Sequence, residues 1–370
     1  MQTRVIKVQT EADIPAAAGE GAKVLAAGGL VGFPTETVYG IAAVASDDTA
    51  MERLRELKSR RDRPFSVHIG RPEDALRYVA APPLRARRLM EKAWPGPLTI
   101  LLPTGGELAD PKLQDETLYA RVCYNDTIGL RCPSDTVAAR LLSAVDEPVV
   151  APSANRAGSP SPRTGDEVLS ELDGEIDLLI DAGATRYGRD STIVLFNADG
   201  WRVVRRGVYD ERAVRKMMRR RILFVCSGNT CRSPLAAGIA RKLYAERLGC
   251  RVGELSEHGL EISSAGLSAS EGSRPSEGAV AAAREYGADI SRHRTRRATV
   301  ELITGADVVL CMTEAQVAAV GRLARDVGKV RRLDPRSDVA DPIGGDMDAY
   351  RGTARQIARA VGNLLSEGTL

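Results

Sequence analysis

The chain has few cysteines, few histidines and no long apolar run, and each shortage excludes a class of protein. Its 370 residues include six cysteines without paired spacing and only three histidines. This composition argues against a disulfide-stapled secreted domain and against a zinc cluster, and it favours a reducing compartment. No apolar stretch has membrane-spanning length, and neither a signal peptide nor an internal repeat is recognised. We therefore expect a cytoplasmic protein with no membrane partner and no bound metal.

The length suffices for two ordinary domains, each with its own core. The formal net charge is only +3, but the basic residues concentrate at Arg205, Arg206, Arg212, Arg215, Lys216, Arg219, Arg220 and Arg221. Such a run can contact RNA. However, Glu211 to Arg221 has helical spacing and no interleaved aromatic residue, so a solvated linker helix is favoured over direct RNA contact. We predict a first domain over residues 1–210, a basic linker over 211–219 and a second domain over 220–370.

The sharpest motif is Cys226-Ser-Gly-Asn-Thr-Cys-Arg-Ser-Pro234, which follows an apolar run and precedes a helix-forming stretch from Leu235. A strand, a small-residue loop and a helix start present backbone N–H groups at the positive end of a helix dipole, where a phosphate dianion fits. Cys226 lies at the floor of this loop, where a thiolate nucleophile is favoured. Arg232 is expected to close the loop and to hold two phosphate oxygens with its planar fork.

With these residues the second half, from about Arg219 onward, resembles the low-molecular-weight protein phosphatases. The resemblance implies that Asp341, in Asp341-Pro-Ile-Gly-Gly345, is the general acid that protonates the leaving group and then activates water. Asp334 also precedes a proline but lacks the Gly-Gly, and it is interpreted as a strand-end turn. The implied phosphate-loop residues are Ser227, Gly228, Asn229, Thr230, Cys231 and Ser233. Ser233 would ease departure of the sulfur and Asn229 would brace the loop.

Two features of this half bear on its substrate. Family members that act on phosphotyrosine commonly carry a larger aliphatic residue at the position of Thr230 and aromatic residues after the Asp-Pro. Here Thr230 is small and polar, and Ile343-Gly-Gly345 offers no aromatic wall. The resemblance thus favours the branch that hydrolyses phosphoarginine on proteins, with phosphotyrosine as the alternative. A pseudophosphatase that only binds phosphorylated protein is not favoured, because Cys226, Arg232 and Asp341 are all present. Arsenate reduction needs a downstream cysteine pair, which Cys311 alone does not supply.

Helix and strand patterns in the second half alternate. Predicted strands are residues 222–225, 261–264, 307–312 and 330–333, and predicted helices are residues 235–249, 276–286, 314–326 and 346–365. This alternation indicates an α/β fold with a small doubly wound parallel sheet and the phosphate site at the carboxyl end of its first strand.

The first half contains a different series of motifs. They are Pro34-Thr-Glu-Thr-Val-Tyr-Gly40, Lys58-Ser-Arg60 followed by Arg61 and Arg63, Phe65-Ser-Val-His68-Ile, Trp94-Pro-Gly-Pro-Leu-Thr99, Gly129-Leu-Arg131-Cys-Pro, Ala151-Pro-Ser-Ala-Asn155, Asp190-Ser-Thr-Ile-Val194 and Val203-Val-Arg-Arg-Gly207. In this order and spacing they resemble the threonylcarbamoyl-AMP synthase family (YrdC-like domains) over about Ala17 to Tyr209. A helix is expected from about Asp48.

The resemblance implies a twisted open α/β sheet with an electropositive groove. The family reaction condenses L-threonine, bicarbonate and ATP (as its Mg²⁺ complex) and releases pyrophosphate, with no tightly bound cofactor. It starts the route to threonylcarbamoyladenosine in tRNA, so a downstream tRNA-modifying transferase complex is the expected partner. The implied ATP-binding residues are Lys58, Arg60, Arg63, Thr127, Asn155, Arg163 and Arg205. The implied threonine-binding residues are Thr37, His68, Arg131, Ser153 and Ser191. Cations suit a triphosphate, and an arginine suits the threonine carboxylate. A non-catalytic RNA-binding module is the alternative.

Overall fold

The computed structural model describes residues 2–60, 63–324 and 328–366. The chain divides into two units, with the boundary between Met218 and Arg219. Each unit has hydrophobic cores of its own. No helix in the described part of the chain is both long and apolar enough to cross a membrane.

The first unit is built on an eleven-stranded mixed sheet. Its strands are β1 (Arg4–Lys7), β2 (Val31–Phe33), β3 (Gly40–Val44), β4 (Val67–His68), β5 (Leu98–Pro103), β6 (Cys123–Tyr124), β7 (Thr127–Arg131), β8 (Val149–Val150), β9 (Leu178–Asp181), β10 (Thr192–Asn197) and β11 (Gly200–Arg205). Their order is β1-β9-β2-β3-β8-β4-β7-β5-β10-β11, with β6 paired to β7. Parallel and antiparallel neighbours alternate irregularly, as β2 is antiparallel to β3 but parallel to β9.

Helices cover this sheet on both faces. They are α1 (Ile14–Ala26), α2 (Asp48–Leu57), α3 (Leu84–Ala93), α4 (Glu116–Val122), α5 (Thr136–Ser143), α6 (Gly165–Leu172) and α7 (Glu211–Met217). Successive strand residues point to opposite faces of a sheet. Val31 accordingly packs with Leu25 of α1 and Leu141 of α5, whereas Leu30 and Ile41 join the core formed with the other five helices.

Residues 211–219 are predicted as a linker, but they do not form a separate segment. Residues 211–218 belong to the first unit and Arg219 begins the second. Helix α7 ends at Met217, and its Val214 is fully buried in the core of the first unit. Arg215 of α7 stacks over the Trp201 ring at 5.0 Å. Arg220 and Arg221, which continue the helical spacing in the sequence, instead begin the first strand of the second unit.

The described residues of the second unit form four strands and five α-helices. The strands are β12 (Arg220–Cys226), β13 (Leu260–Gly266), β14 (Val308–Cys311) and β15 (Val330–Arg332), and the helices are α8 (Arg232–Leu248), α9 (Glu277–Glu285), α10 (Val300–Gly305), α11 (Glu314–Leu323) and α12 (Met347–Ser366). The strand order is β13-β12-β14-β15, and all pairs are parallel. Ile222 and Phe224 pack with α8, α9 and α12 on one face. Leu223 and Val225 pack with α10 and α11 on the other, so the sheet is doubly wound as predicted.

The predicted helices of this unit differ from the structure at three points. Helix α8 begins at Arg232, three residues before the predicted start, because the last loop residues already form its first turn. Helix α10 has no counterpart in the prediction. The predicted helix over 314–326 ends at Leu323, and residues 325–327 lie outside the described part of the chain.

Candidate active sites

The cysteine loop of the second unit connects the end of β12 to the first turn of α8. Cys226 is the last residue of the strand and Arg232 is the first residue of the helix. The Asn229 N–H donates to Cys226 Sγ at 3.2 Å. Ser233 Oγ lies 3.0 Å from the same sulfur. Negative charge on that sulfur is therefore stabilised by a backbone donor, a hydroxyl and the start of a helix.

Asn229 holds the loop in this shape. Its φ of 57° is in the left-handed region, which asparagine tolerates better than most residues. Its side-chain amide donates to Ser233 Oγ at 2.8 Å and to Ser264 Oγ at 3.0 Å. Its side-chain oxygen accepts from the Arg296 N–H at 2.9 Å. His293 Nε2 donates to the Asn229 carbonyl at 2.9 Å. Sequence reasoning identified Asn229 but missed His293 and Arg296, which come from a distant segment without a local motif.

The end of β13, Ser264-Ala265-Gly266, lies beside the loop, and Gly266 allows this close approach. A Cβ at this position would be 2.6 Å from the Ser227 carbonyl oxygen, so a larger residue would push the loop away. On its other side the loop is held by Gln316, whose side-chain amide donates to Ser227 Oγ at 3.1 Å. Gly228, the next loop residue, has open space around it apart from Thr230.

Arg232 and the predicted general acid meet at this loop. Arg232 is buried and its Nη1 donates to the Val339 carbonyl at 3.3 Å, while its Nη2 donates to an Asp341 carboxylate oxygen. The Asp341 side chain is 43% exposed, and its other oxygen accepts from the Ile343 N–H at 3.3 Å. Asp334, by contrast, is buried and accepts from the side chains of Gln356 and Arg359 on α12. Asp341, not Asp334, is thus the carboxylate next to Arg232.

Thr230 and Cys231 complete the loop. Cys231 Sγ is 3.2 Å from Ser276 Oγ and 3.8 Å from Tyr350 Oη. Thr230 Oγ1 lies 3.6 Å from Cys231 Sγ. Ile343 is 67% exposed beside Asp341 and is the only large side chain in the Asp341-Pro-Ile-Gly-Gly345 turn.

The first unit has a cleft of about 720 Å³ over one face of its sheet. Its polar lining includes nine of the predicted site residues, namely Lys58, Arg60, Arg63, His68, Thr127, Arg131, Ser153, Ser191 and Arg205. Thr37 and Asn155 lie directly behind this lining, hydrogen-bonded to Arg131 and Lys58. Arg163 is exposed, does not line the cleft, and packs its side chain against Gly188.

Lys58 is anchored by the Ala151-Pro-Ser-Ala-Asn155 segment. Its ammonium donates to the Ser153 carbonyl at 3.0 Å, the Asn155 carbonyl at 2.7 Å and the Asn155 side-chain oxygen at 3.0 Å. These three acceptors match the three donors of an ammonium group. Burial, with a further contribution from the nearby Arg60 charge, lowers the pKa of Lys58 to about 8. Arg60 itself stacks over the Phe65 ring at 5.2 Å.

Arg131 is buried beneath the cleft by its neighbours in the Pro-Thr-Glu-Thr turn. Its Nη2 donates to Glu36 Oε1 at 3.0 Å, Thr37 Oγ1 at 2.6 Å and Thr35 Oγ1 at 3.3 Å. The other Glu36 oxygen accepts from the Ser134 N–H at 3.1 Å. Arg131 Nε is buried and has no hydrogen-bond partner among the described residues, so a donor remains for an anionic ligand. Sequence reasoning missed Glu36, although it lies inside a recognised motif.

His68 lies on β4 and Ser191 immediately precedes β10, and β7 and β5 separate these two strands in the sheet. His68 pairs with Arg131 in the sheet, and burial together with the Arg131 charge lowers the pKa of His68 to about 3. Its ring is therefore neutral, and its Nδ1 donates to the Ser66 carbonyl at 3.2 Å, which leaves Nε2 as an acceptor. Ser191 Oγ lies 2.9 Å from Thr99 Oγ1 and accepts from Arg205 Nη2 at 2.9 Å.

The rest of the cleft lining is mixed, with polar side chains such as Asn125, Asp190 and Arg202 beside an apolar patch. Leu101 of β5 and Leu195 of β10 are register partners, and Tyr124, Ile193 and Val204 lie around them. Gly129 of β7 lies opposite Leu101, and a Cβ at this position would be 2.9 Å from the Leu101 side chain and 2.8 Å from Ser66 Oγ, so the two strands pack closely here. The cleft therefore has cationic side chains in one region and an apolar patch in another. Such a lining suits a ligand that contains both an anionic group and a planar ring. Within the described residues, no group of His, Cys, Asp and Glu side chains is arranged to hold a metal ion.

Both units match known families. The family model described as telomere recombination (Sua5, YciO and YrdC proteins) matches residues 23–207. The model described as low molecular weight phosphotyrosine protein phosphatase matches residues 221–369.

Similar proteins support the first of these matches. The threonylcarbamoyl-AMP synthase of Pyrococcus abyssi is 38% identical over 168 residues, which are 45% of this chain and 47% of that protein. The threonylcarbamoyl-AMP synthase of Chromohalobacter salexigens is 32% identical over 167 residues, 45% of this chain and 85% of that protein. A solved structure of a doubly substituted P. abyssi Sua5 has a TM-score of 0.50 at 26% identity, covering 89% of this chain and 98% of that chain. The chain spans about half the length of the P. abyssi relative that it matches in sequence.

Proposed function

Since this chain belongs to the Sua5/YciO/YrdC family over its first unit and to the low-molecular-weight phosphatase family over its second, we propose that it is a bifunctional enzyme. The first activity is synthesis of threonylcarbamoyl-AMP from L-threonine, bicarbonate and ATP, with release of pyrophosphate. The second is a cysteine-based protein phosphatase. Both sequence relatives described above are named threonylcarbamoyl-AMP synthase, which supports the first activity.

Convergence of cations on one cleft carries the synthase proposal. Lys58, Arg60, Arg63 and Arg205 line the same cleft, where they would hold the triphosphate of the Mg²⁺–ATP complex. Thr127 lines it too, and Asn155 would act through Lys58. Arg163, which is exposed and not part of the lining, is retained only as a peripheral contact to the nucleotide.

Arg131 is proposed to bind the threonine carboxylate. Its buried, unpartnered Nε supports this role, because a carboxylate would satisfy that donor. The neutral His68 would accept a hydrogen bond from the amino group, which must lose a proton before it can be carbamoylated. Ser153, Ser191 and Thr37 supply hydroxyls around these groups, with Thr37 acting through Arg131.

We expect the full chain, given ATP, L-threonine, bicarbonate and Mg²⁺, to release pyrophosphate and form threonylcarbamoyl-AMP. The measurement is coupled pyrophosphate detection together with chromatography of the adenylate. L-Valine, which lacks the hydroxyl, is the matched control and should support much less turnover, because hydroxyls and amides in the cleft would lose their partner. Pyrophosphate release at the same rate without threonine would contradict the synthase proposal.

The geometry of the cysteine loop carries the phosphatase proposal. Cys226 would attack phosphorus while the loop N–H groups and Arg232 hold the phosphoryl oxygens. Asp341 would protonate the leaving group and then activate water to hydrolyse the phosphocysteine. Ser233, 3.0 Å from the sulfur, would stabilise the departing thiolate.

We propose phosphoarginine in proteins as the preferred substrate. Thr230 leaves more room beside the phosphate than a larger aliphatic residue would, and the Asp341 turn presents Ile343 rather than aromatic side chains. A phenol ring therefore lacks the flat wall against which it would stack. The P–N bond of phosphoarginine becomes labile on protonation, which Asp341 can provide.

The substrate preference is tested by kcat/KM on matched phosphoarginine and phosphotyrosine peptides. We expect the wild type to favour phosphoarginine and Thr230→Ile to move the ratio toward phosphotyrosine by about 1–3 kcal/mol, the range for reshaping a pocket by a methyl-sized group. Thr230→Ser, which keeps the hydroxyl and adds no bulk, is the control and should leave the ratio nearly unchanged. A wild type that clearly prefers phosphotyrosine would assign the domain to the tyrosine branch.

Location and partners follow from the two activities. We propose that the protein works in the cytoplasm and passes its reactive mixed anhydride to a tRNA-modifying transferase complex. An RNA-binding module without synthase activity is the alternative for the first unit, and the threonine-dependent release of pyrophosphate distinguishes the two.

A further inference from the structure

Four exposed arginines occur in the segments that surround the cysteine loop of the second unit. We call Arg274, Arg292, Arg294 and Arg297 the basic collar. All four are exposed, and no carboxylate in the described part of the chain forms an ion pair with any of them. Residues 291–298 include no acidic residue. Asp289 precedes them, and hydrogen bonds from Ser291, with a smaller contribution from the Arg292 charge, lower the pKa of its exposed carboxyl, but none of the four arginines forms a direct ion pair with it. The collar is thus a set of exposed arginines with a net positive charge on one pair of loops.

Residues 293–296 connect the collar directly to the cysteine loop. His293 donates to the Asn229 carbonyl and the Arg296 N–H donates to the Asn229 side chain, both at 2.9 Å. Asn229 itself donates to the nucleophilic sulfur. Arg292 and Arg294 flank His293, and Arg297 follows Arg296. Three collar arginines are therefore next in sequence to residues that contact the loop.

The fourth arginine, Arg274, lies in a neighbouring loop segment, residues 273–276. The Thr295 N–H donates to the Ser273 carbonyl at 3.0 Å, and the Ser273 N–H donates to Thr295 Oγ1 at 2.9 Å. Three residues later, the Ser276 N–H donates to the Thr230 carbonyl at 3.0 Å. Arg274 is thus held between an anchor on the collar segment and an anchor on the cysteine loop.

We propose that the basic collar binds acidic residues that flank the phosphorylated residue of a protein substrate. The inference rests on the proposed phosphatase function and names the substrate sequences that the site prefers. An extended peptide advances about 3.3–3.6 Å per residue, so side chains within a few positions of the phosphorylated residue extend over the surrounding loops. Aspartate and glutamate there would meet exposed arginines that form no direct ion pair, which raises the association rate and selects the substrate.

A peptide is favoured over a nucleic acid as the ligand of the collar, because the surrounding segments have few aromatic side chains. Binding of single-stranded nucleic acid combines a basic track with aromatic side chains on which bases stack. Residues 266–298 contain one aromatic residue, Tyr286, which is only partly exposed and packs against the core. Competition by RNA is nevertheless measured as an outcome of the test.

The test compares phosphopeptides that have acidic flanks with matched peptides that have glutamine and asparagine flanks. For the wild type at low salt we expect kcat/KM to be about tenfold higher on the acidic peptides, since each exposed ion pair contributes modestly. The triple variant Arg292→Gln, Arg294→Gln, Arg297→Gln should bring this ratio close to one. High salt should do the same in the wild type, because exposed charges are screened. Turnover of a small aryl phosphate, which cannot reach the collar, should change less than about twofold.

A matched control removes the same charge elsewhere on the second unit. Arg322→Gln, Arg336→Gln, Arg355→Gln neutralises three exposed arginines that lie outside the collar segments, and it should keep the wild-type ratio. An acidic-to-neutral ratio that the collar variant does not change would overturn the inference. So would RNA that binds through the collar while the peptide ratio stays the same.

Binding measurements separate failure of this inference from failure of the phosphatase proposal. Calorimetry with the Cys226→Ser protein gives Kd values for the same acidic and neutral phosphopeptides without any turnover. A wild type that hydrolyses no aryl phosphate would refute the phosphatase function, while a collar-dependent tenfold difference in Kd would still support the collar. Equal Kd values for acidic and neutral peptides would refute the collar alone.

Discussion

Replacing Cys226 by serine is expected to abolish phosphatase turnover while phosphate and vanadate still bind. The loop donors do not depend on the sulfur, since Asn229 is held by Ser233, Ser264 and Arg296. A serine hydroxyl is a far weaker nucleophile than a thiolate, and the loss of kcat should be about 10⁴-fold or more. The measurement is steady-state hydrolysis of an aryl phosphate alongside calorimetric titration with vanadate.

Cys231→Ser is the matched control for this substitution. Cys231 contacts Ser276 and Tyr350 rather than the reacting sulfur, so its replacement should retain most of the turnover. Turnover by Cys226→Ser within tenfold of the wild type would exclude Cys226 as the nucleophile. Loss of vanadate binding in that variant would instead show that the sulfur supports the loop.

Asp341→Asn extends the same experiment to the proposed general acid of the first catalytic step. In the structure Asp341 accepts from Arg232, so a bound phosphate that takes the Arg232 fork would release the carboxyl for proton transfer. The rate should fall most for alkyl phosphates, which are poor leaving groups and require protonation. Equal losses for good and poor leaving groups would assign Asp341 a structural role.

The cysteine loop could be predicted from the sequence because its parts are contiguous. Strand, loop and helix follow one another from Ile222 onward, and the phosphate-binding groups are mostly backbone N–H groups of that one segment. The bracing of the loop could not be predicted in the same way. His293 and Arg296 reach Asn229 from more than sixty residues away, and only the folded chain brings them together.

The first unit shows the same division between local motif and long-range packing. Its motifs indicate candidate site residues, and nine of these line one cleft in the structure. The motifs say little about the strand order, in which β1 pairs with β9 and β5 with β10, because those pairings join distant parts of the chain. The role of Glu36 was missed for the same reason, since its partner Arg131 lies on another strand.

Boundaries were the least predictable feature. The arginine-rich sequence of helix α7 favours a solvated linker, yet its Val214 is fully buried and its Met217 packs against the core of the first unit. A helix that exposes most of its surface needs only a narrow apolar stripe to dock. The next arginines, Arg220 and Arg221, have the same composition but form the start of β12, where strand pairing outweighs helical propensity.

Lys58→Ala is expected to have the largest effect on the proposed synthase activity. The substitution removes a positive charge from the cleft and leaves the carbonyls of Ser153 and Asn155 without their donor. We expect a loss of about 2–4 kcal/mol of transition-state stabilisation, the range for a preorganised electrostatic contact. The measurement is kcat/KM for ATP in the pyrophosphate assay. Arg71→Ala is the matched control, because Arg71 is exposed and does not line the cleft.

The pH dependence tells whether Lys58 acts through its charge. Burial lowers the pKa of Lys58 to about 8, so the free enzyme holds the ammonium below that pH and loses it as the pH rises further. KM for ATP should therefore increase above about pH 8 in the wild type, while Lys58→Arg, which stays charged, should show no such increase. Arginine cannot reproduce three bonds that converge on one nitrogen, so Lys58→Arg should still lose kcat. A Lys58→Arg enzyme with full kcat and no increase in KM above pH 8 would show that any cation in the cleft suffices. The anchoring of residues 153–155 by Lys58 would then not contribute to catalysis.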